Sequence, residues 1–159
     1  MAVGDRSGHG PVALTFLPRA SLDLKEDRFL RLFLRTISHI PASGHPIQSV
    51  AQVRLRKRGS LPGLAGLTTY MLKESYQTNF VGNHPSDTHV MTFYSTLLSK
   101  LSDEAVEAVM AHELAHAWLN EHIGPEASKQ REEDADMLAE MWGFGPQLRA
   151  LADESEPLN

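Results

Sequence analysis

The chain has 159 residues, 42% of them apolar and 22% charged, which is the size and composition of one globular domain with a core of its own. A formal net charge of −5 and a pI near 5.9 argue against a general nucleic-acid binder, which needs a basic footprint. There is no cysteine, so disulfides and thiolate-held metals are excluded, and any metal must sit on His, Asp or Glu.

Residues 1–12 are Gly-rich and polar and read as a flexible N-terminal arm, without the apolar run of a signal peptide. No stretch approaches the roughly 20 apolar residues of a membrane-spanning helix, so the chain reads as soluble and cytoplasmic. Pro11 to Leu17 suits a short strand. Leu22 to Ile40 reads as a helix, with Phe29, Leu30, Leu32, Phe33, Leu34 and Ile37 as its buried stripe and Pro41 as its stop. Pro41 to Pro46 reads as a loop. Val50 to Arg56 alternates, Val53 and Leu55 against Arg54 and Arg56, as a half-exposed strand does. The basic run Arg54–Arg58 is therefore a solvated strand face rather than an anion site. Gly59 to Gly63 is a turn, Leu67 to Leu72 a second strand, Ser75 to Asp87 a loop, and the β-branched and aromatic Thr88 to Tyr94 a third strand.

Two helices follow. The first spans Ser102 to Glu121, with Ser102 as N-cap and Asp103 and Glu104 at the positive end of its dipole; Gly124-Pro125 ends it. The second spans Ser128 to Trp142 and stops at Gly143. Residues 13–150 are thus expected to form a single domain, with 151–159 a polar tail. A helix, a few antiparallel strands and two helices make an α+β fold.

The chemistry is concentrated in A-H-E-L-A-H-A-W-L, Ala111 to Leu119. His112 and His116 are one helical turn apart on one face, so both imidazoles can reach one ion. Ala105, Ala108 and Val109 continue that face and turn it inward. Glu113 lies to the side, where its carboxylate can take a proton from water at the ion's open position. This is the H-E-x-x-H zinc pattern, and it predicts peptide hydrolysis by an activated water with Glu113 as general base. Catalytic zinc takes three protein ligands. In R-E-E-D-A-D-M-L-A-E-M-W-G-F, Arg131 to Phe144, a helical projection places Glu132 and Asp136 beside the apolar stripe of Ala135, Leu138, Ala139 and Trp142, with Glu133 on the solvent flank. Glu132 is the favoured third ligand, and Asp136 is placed to accept a hydrogen bond from a ligating histidine. Glu133 is an alternative. So is His122, ten residues after His112, although Leu119 stands where a three-histidine site needs a sharp turn. Tyr70, Tyr76, Tyr94, His84, His89 and Arg149 are candidates for the oxyanion donor.

His112-Glu113-x-x-His116 followed by Glu132-x-x-x-Asp136 resembles the gluzincins, the thermolysin-like zinc peptidases. The approach L-L-S-K-L-S-D-E-A-V-E-A-V-M-A-H-E-L-A-H-A-W and the later E-x-x-A-D-x-x-A-x-x-x-G-F resemble small minigluzincin-type and HtpX-like peptidases. The likeness runs from Thr88 to Phe144, and residues 1–80 show none. It implies a small zincin-like domain with a short, mostly antiparallel sheet packed on the H-E-x-x-H helix and a glutamate-bearing second helix. It also implies Zn2+ as cofactor, a peptide or protein substrate cleaved as by an endopeptidase, and Thr88–Tyr94 as the sheet edge that pairs with it. Alternatives are a SprT- or WLM-like protease if His122 is a ligand, an ImmA/IrrE-like regulatory protease, a hydrolase of non-peptide amides, and a non-catalytic zinc-binding module.

Overall fold

A computed structural model describes residues 2–5, 11–16, 25–41, 50–57, 66–71, 88–123 and 131–155. The expected loops and turns at Pro41–Pro46 beyond Pro41 itself, Gly59–Gly63 and Ser75–Asp87, the helix stop at Gly124-Pro125, and the side chains of Tyr70, Tyr76 and His84 lie outside the described residues.

Strands β1 (Ala2–Asp5), β2 (Pro11–Phe16), β3 (Val50–Arg56), β4 (Gly66–Met71) and β5 (Thr88–Tyr94) form one sheet in the order β1-β2-β3-β5-β4. β1 therefore occupies part of the stretch expected to be a flexible arm. The pairings β1–β2 and β5–β4 are antiparallel, whereas β2–β3 and β3–β5 are parallel. The expectation of a mixed helix-and-strand fold holds, but that of a mostly antiparallel sheet does not. The physical reason is the connection between β2 and β3, which contains helix α1 (Glu26–His39); a helical crossover returns a strand parallel to its predecessor.

β5 is also not the edge. It lies between β3 and β4, and His89 through Tyr94 are all buried. A strand apolar on both faces and paired on both sides is an inner strand. The edge on that side is β4, in register from Gly66↔Phe93 to Met71↔Thr88. In β3 the alternation reads as expected, Val53 and Leu55 buried and Arg56 exposed.

α1 lays Phe29, Leu32, Phe33 and Thr36 into the core. Phe29 stacks on Phe33 at 6.0 Å and meets Phe93 of β5 edge-on at 5.5 Å, joining helix to sheet through aromatic contacts. Leu34 departs from the expected stripe and is 41% exposed, because it falls on the far side of that face. After the single turn α2 (Ser95–Leu98) comes α3 (Asp103–His122). α3 is buried on almost every side, from Ala105 to Ala111 and again at Glu113, Leu114, Ala115, Ala117 and Leu119. Such a helix is central rather than amphipathic. It packs against α1, β4 and the two helices that follow.

Those are α4 (Arg131–Ala139) and α5 (Gly145–Ser155), joined by a π-helical stretch, Glu140–Phe144. Gly143 was the expected stop. Its φ of 101° does break the direction of α4, since that left-handed conformation suits glycine. The chain then re-enters a helix, with Pro146 in the first turn where a missing N–H costs nothing. α5 runs to Ser155 through the expected polar tail, and its Leu148 and Leu151 pack on the core.

Charged links lock α3 in place. Arg28 Nε donates to Asp103 at 2.8 Å. Arg35 donates twice to the nearly fully buried Glu107, at 3.0 and 2.6 Å. Ser102 accepts from Ala105 N as N-cap, while its own N–H and hydroxyl donate to the Glu154 carboxylate of α5. Replacing Arg35 by Met strands the Glu107 carboxylate in the core. Because Arg35 is itself partly exposed, the expected loss is about 2–3 kcal/mol, read as a lower urea-unfolding midpoint of metal-free protein and partly recovered by adding Glu107→Gln.

The Arg28 hydrogen bond first, with Arg31 behind it, holds the Asp103 carboxyl below its usual range, and the two Ser102 hydrogen bonds do the same for Glu154. A carboxyl with a depressed folded pKa stabilises fully above its unfolded value, here 3.8 and 4.5, and loses that contribution as pH falls through the lower folded value. Acid unfolding of the metal-free protein is expected to steepen below about pH 4, and Asp103→Asn to flatten that limb when midpoints are plotted against pH.

Candidate metal centre

α3 carries His112 and His116 one turn apart, and the twist of the helix turns both rings to the seam with α4. The seam is made of Ala115 and Leu119 on α3 and Ala135 on α4, flanked by Trp118, Leu138 and Trp142. Alanine at the contact lets the helices approach closely enough for the short acidic side chains of α4 to reach the rings.

The three predicted ligands meet there. The Nε2 atoms of His112 and His116 lie 3.0 Å apart, and Glu132 places one carboxylate oxygen 3.0 Å from the first and the other 2.9 Å from the second. The imidazole side chains are 15% and 13% exposed, while Glu132 is 71% exposed and reaches in from the rim. On the far side of His112, Nδ1 lies 2.7 Å from Asp136 Oδ1. A carboxylate there accepts a hydrogen bond from Nδ1–H and so keeps the proton on Nδ1, leaving Nε2 as a lone pair aimed at the meeting point, the tautomer that metal ligation requires. Asp136 thus stands where the helical projection put it.

The electrostatics follow. Burial alone would push His112 down, but the charges of Glu113, Asp136 and Glu132 outweigh it and hold the ring above the ordinary histidine value. His116 is pushed down, by burial and then by the neighbouring His112, against a partial pull from Glu132. Two imidazole lone pairs and a carboxylate converging on one point repel each other unless a proton or a metal ion sits among them. A nitrogen–nitrogen–oxygen donor set with no thiolate suits zinc. Among the described residues, His112, His116 and Glu132 are a group of three that could hold a metal, with donor atoms all within 4.8 Å of one another. Zinc–ligand distances of about 2.0–2.1 Å need donors roughly 3.3 Å apart, a few tenths wider than here, so to take the ion the two imidazoles as well as the exposed Glu132 would each turn slightly outward.

The rival ligands lie elsewhere. α3 continues through Leu119 without turning, and His122 hydrogen-bonds the Trp118 carbonyl at 2.9 Å and stacks on the Trp118 ring. Glu133 is exposed and outside the group. Glu113 is 6% exposed and lies against β4, its Cγ, Cδ and Oε1 packed on Gly66. Of the oxyanion candidates, Arg149 lines a cavity of ≈ 480 Å³ between α4 and α5 whose wall includes Asp136, whereas His89 and Tyr94 are buried in β5. Gly66 is the site residue that sequence reasoning missed: it is an isolated glycine at a strand start, and nothing local marks it as touching a residue 47 positions on.

No described helix is long and apolar enough to cross a membrane. No curated protein and no solved structure gives a significant match to the chain. A family model does match, over residues 41–152, and so takes in β3 and β4 as well as the stretch from Thr88 that shows the motif by eye. With the H-E-x-x-H helix and the converging His112, His116 and Glu132 already in place, that match assigns the chain to peptidase family M48, a family of zinc metallopeptidases.

Proposed function

We propose that the chain is a zinc-dependent endopeptidase acting on peptide or protein substrates, with His112, His116 and Glu132 holding the metal and Glu113 as general base. The observation that carries this reading is the convergence of two histidines and a carboxylate from two helices, with a second carboxylate, Glu113, buried beside them and unneeded for ligation. When bound, zinc supplies a Lewis acid that polarises a carbonyl and lowers the pKa of water. Asp136 holds His112 in the ligating tautomer. Glu113 receives the proton of the attacking water and returns it to the leaving amine. Among the described residues no strand pairs with the outer edge of β4, which begins at Gly66 against Glu113; that edge gives an extended peptide a row of backbone partners without any requirement for a chain terminus, which favours internal cleavage. Arg149, which shares a cavity wall with Asp136, is a candidate for the oxyanion donor. A cytoplasmic location fits the absence of cysteine.

A structural zinc site closes its fourth position with a protein ligand, and the non-catalytic alternative is tested together with the enzymatic one. Glu113→Gln is expected to keep one zinc per chain by elemental analysis and to lose about 10²–10⁴-fold in turnover of labelled casein. Unchanged turnover in that variant removes Glu113 as the base, and no turnover in the wild type leaves a zinc-binding module. Mass spectrometry of the digest separates internal fragments from residues released one at a time.

Glu132→Ala is expected to abolish zinc binding and His122→Ala to leave it intact. Asp136→Asn should weaken zinc affinity about 10–100-fold, measured by competition with a chromogenic chelator. Ligands must shed protons to bind. His112, held above the ordinary histidine value of 6.5, therefore makes zinc affinity fall with acidification starting above that pH. In Asp136→Asn one of the charges that raise it is gone, so the onset moves to lower pH.

A further inference from the structure

We infer that Gly66 is a positioning residue for the general base: its bare α-carbon, at the start of the edge strand, packs on Glu113 and fixes where that carboxylate points. This rests on the reading of Glu113 as the base. A Cβ at position 66 would stand 2.9 Å from Glu113 Cγ, closer than real Cβ atoms approach, and 3.2 Å from both Cδ and Oε1, which is tighter than most such contacts. The backbone at Gly66 is that of an ordinary strand, outside the left-handed region, so glycine is needed there for space and not for its dihedral freedom.

The elements on either side cannot back away. Gly66 pairs with Phe93, which is fully buried and packed edge-on against Phe29 of α1. α3 is held by Arg28 and Arg35 from α1 and by Glu154 from α5. What yields to an added methyl group is therefore the Glu113 side chain. A carboxylate that must meet a water at the ion's open position tolerates little displacement, since errors on the order of 1 Å cost about 10²-fold in rate. The three atoms nearest to a Cβ at position 66 all belong to Glu113 and none to His112, His116 or Glu132, so metal affinity is expected to survive the change.

The test compares wild type, Gly66→Ala, Glu113→Gln, Glu113→Ala and the double variant Gly66→Ala/Glu113→Ala. Kinetics use an internally quenched peptide that the wild type cleaves, and zinc affinity and thermal midpoints are measured on the same preparations. Gly66→Ala is expected to keep zinc affinity and KM while kcat falls about 10- to 100-fold. It should lower the midpoint in the wild-type background and have no such effect in Glu113→Ala, where the side chain it collides with is gone. Equal destabilisation in both backgrounds would overturn the contact, and this outcome can be read even if Gly66→Ala is poorly folded at assay temperature. Unchanged kcat in Gly66→Ala beside an inactive Glu113→Gln would overturn the positioning role and leave the base assigned. Turnover retained in Glu113→Gln would instead remove the base, and the positioning role with it.

Discussion

A helix buried along nearly its whole length cannot carry polar side chains without partners, and α3 carries four that matter: Glu107, His112, Glu113 and His116. Much of the surrounding structure answers that demand. Arg35 reaches over from α1 to cover Glu107. Asp136 and Glu132 reach from α4 to cover His112 and His116. An unpaired buried charge costs several kcal/mol, so these partners are conditions for α3 to be central at all. Three of the four polar groups form the site, and the fourth, Glu107, is the structural one.

The metal reading was legible because ligand spacing on a helix is a local property. Two histidines four residues apart share a face whatever the tertiary fold, and the same periodicity separates Glu132 and Asp136 from Glu133. The helix start at Ser102 and the strands Val50–Arg56 and Thr88–Tyr94 are likewise written in a cap and in β-branched runs. The topology was not legible in this way. Whether β5 is an edge or an inner strand depends on where β4 goes, and the parallel pairing of β2, β3 and β5 depends on α1 crossing between them. The buried run from His89 to Tyr94 did contain the clue, since an inner strand need not alternate. The last helix was missed for a different reason. Gly143 has the left-handed conformation expected at a helix end, but a glycine that ends one helix can equally join it to the next, and α5 is polar enough to pass for a tail.

That missed helix matters for the site. α5 folds back along α3 and brings Glu154 to Ser102, so the N-terminus of the metal-bearing helix is held by a residue 52 positions later. The same reversal makes the cavity in which Arg149 and Asp136 share a wall. α4 is lightly anchored. Its buried contacts are two alanines with Leu138 and Trp142 beside them, and Met137 and Met141 face outward at 62% and 80% exposure. Its attachment to α3 therefore leans on Glu132 and Asp136, which bridge to the histidines. A metal ion bound there would replace a repulsive meeting of two imidazoles and a carboxylate with a single attractive centre, at a seam of small side chains. The binding energy of an ion at that site would in that sense also help to dock α4, so that the residue completing the site and the helix presenting it would be stabilised together.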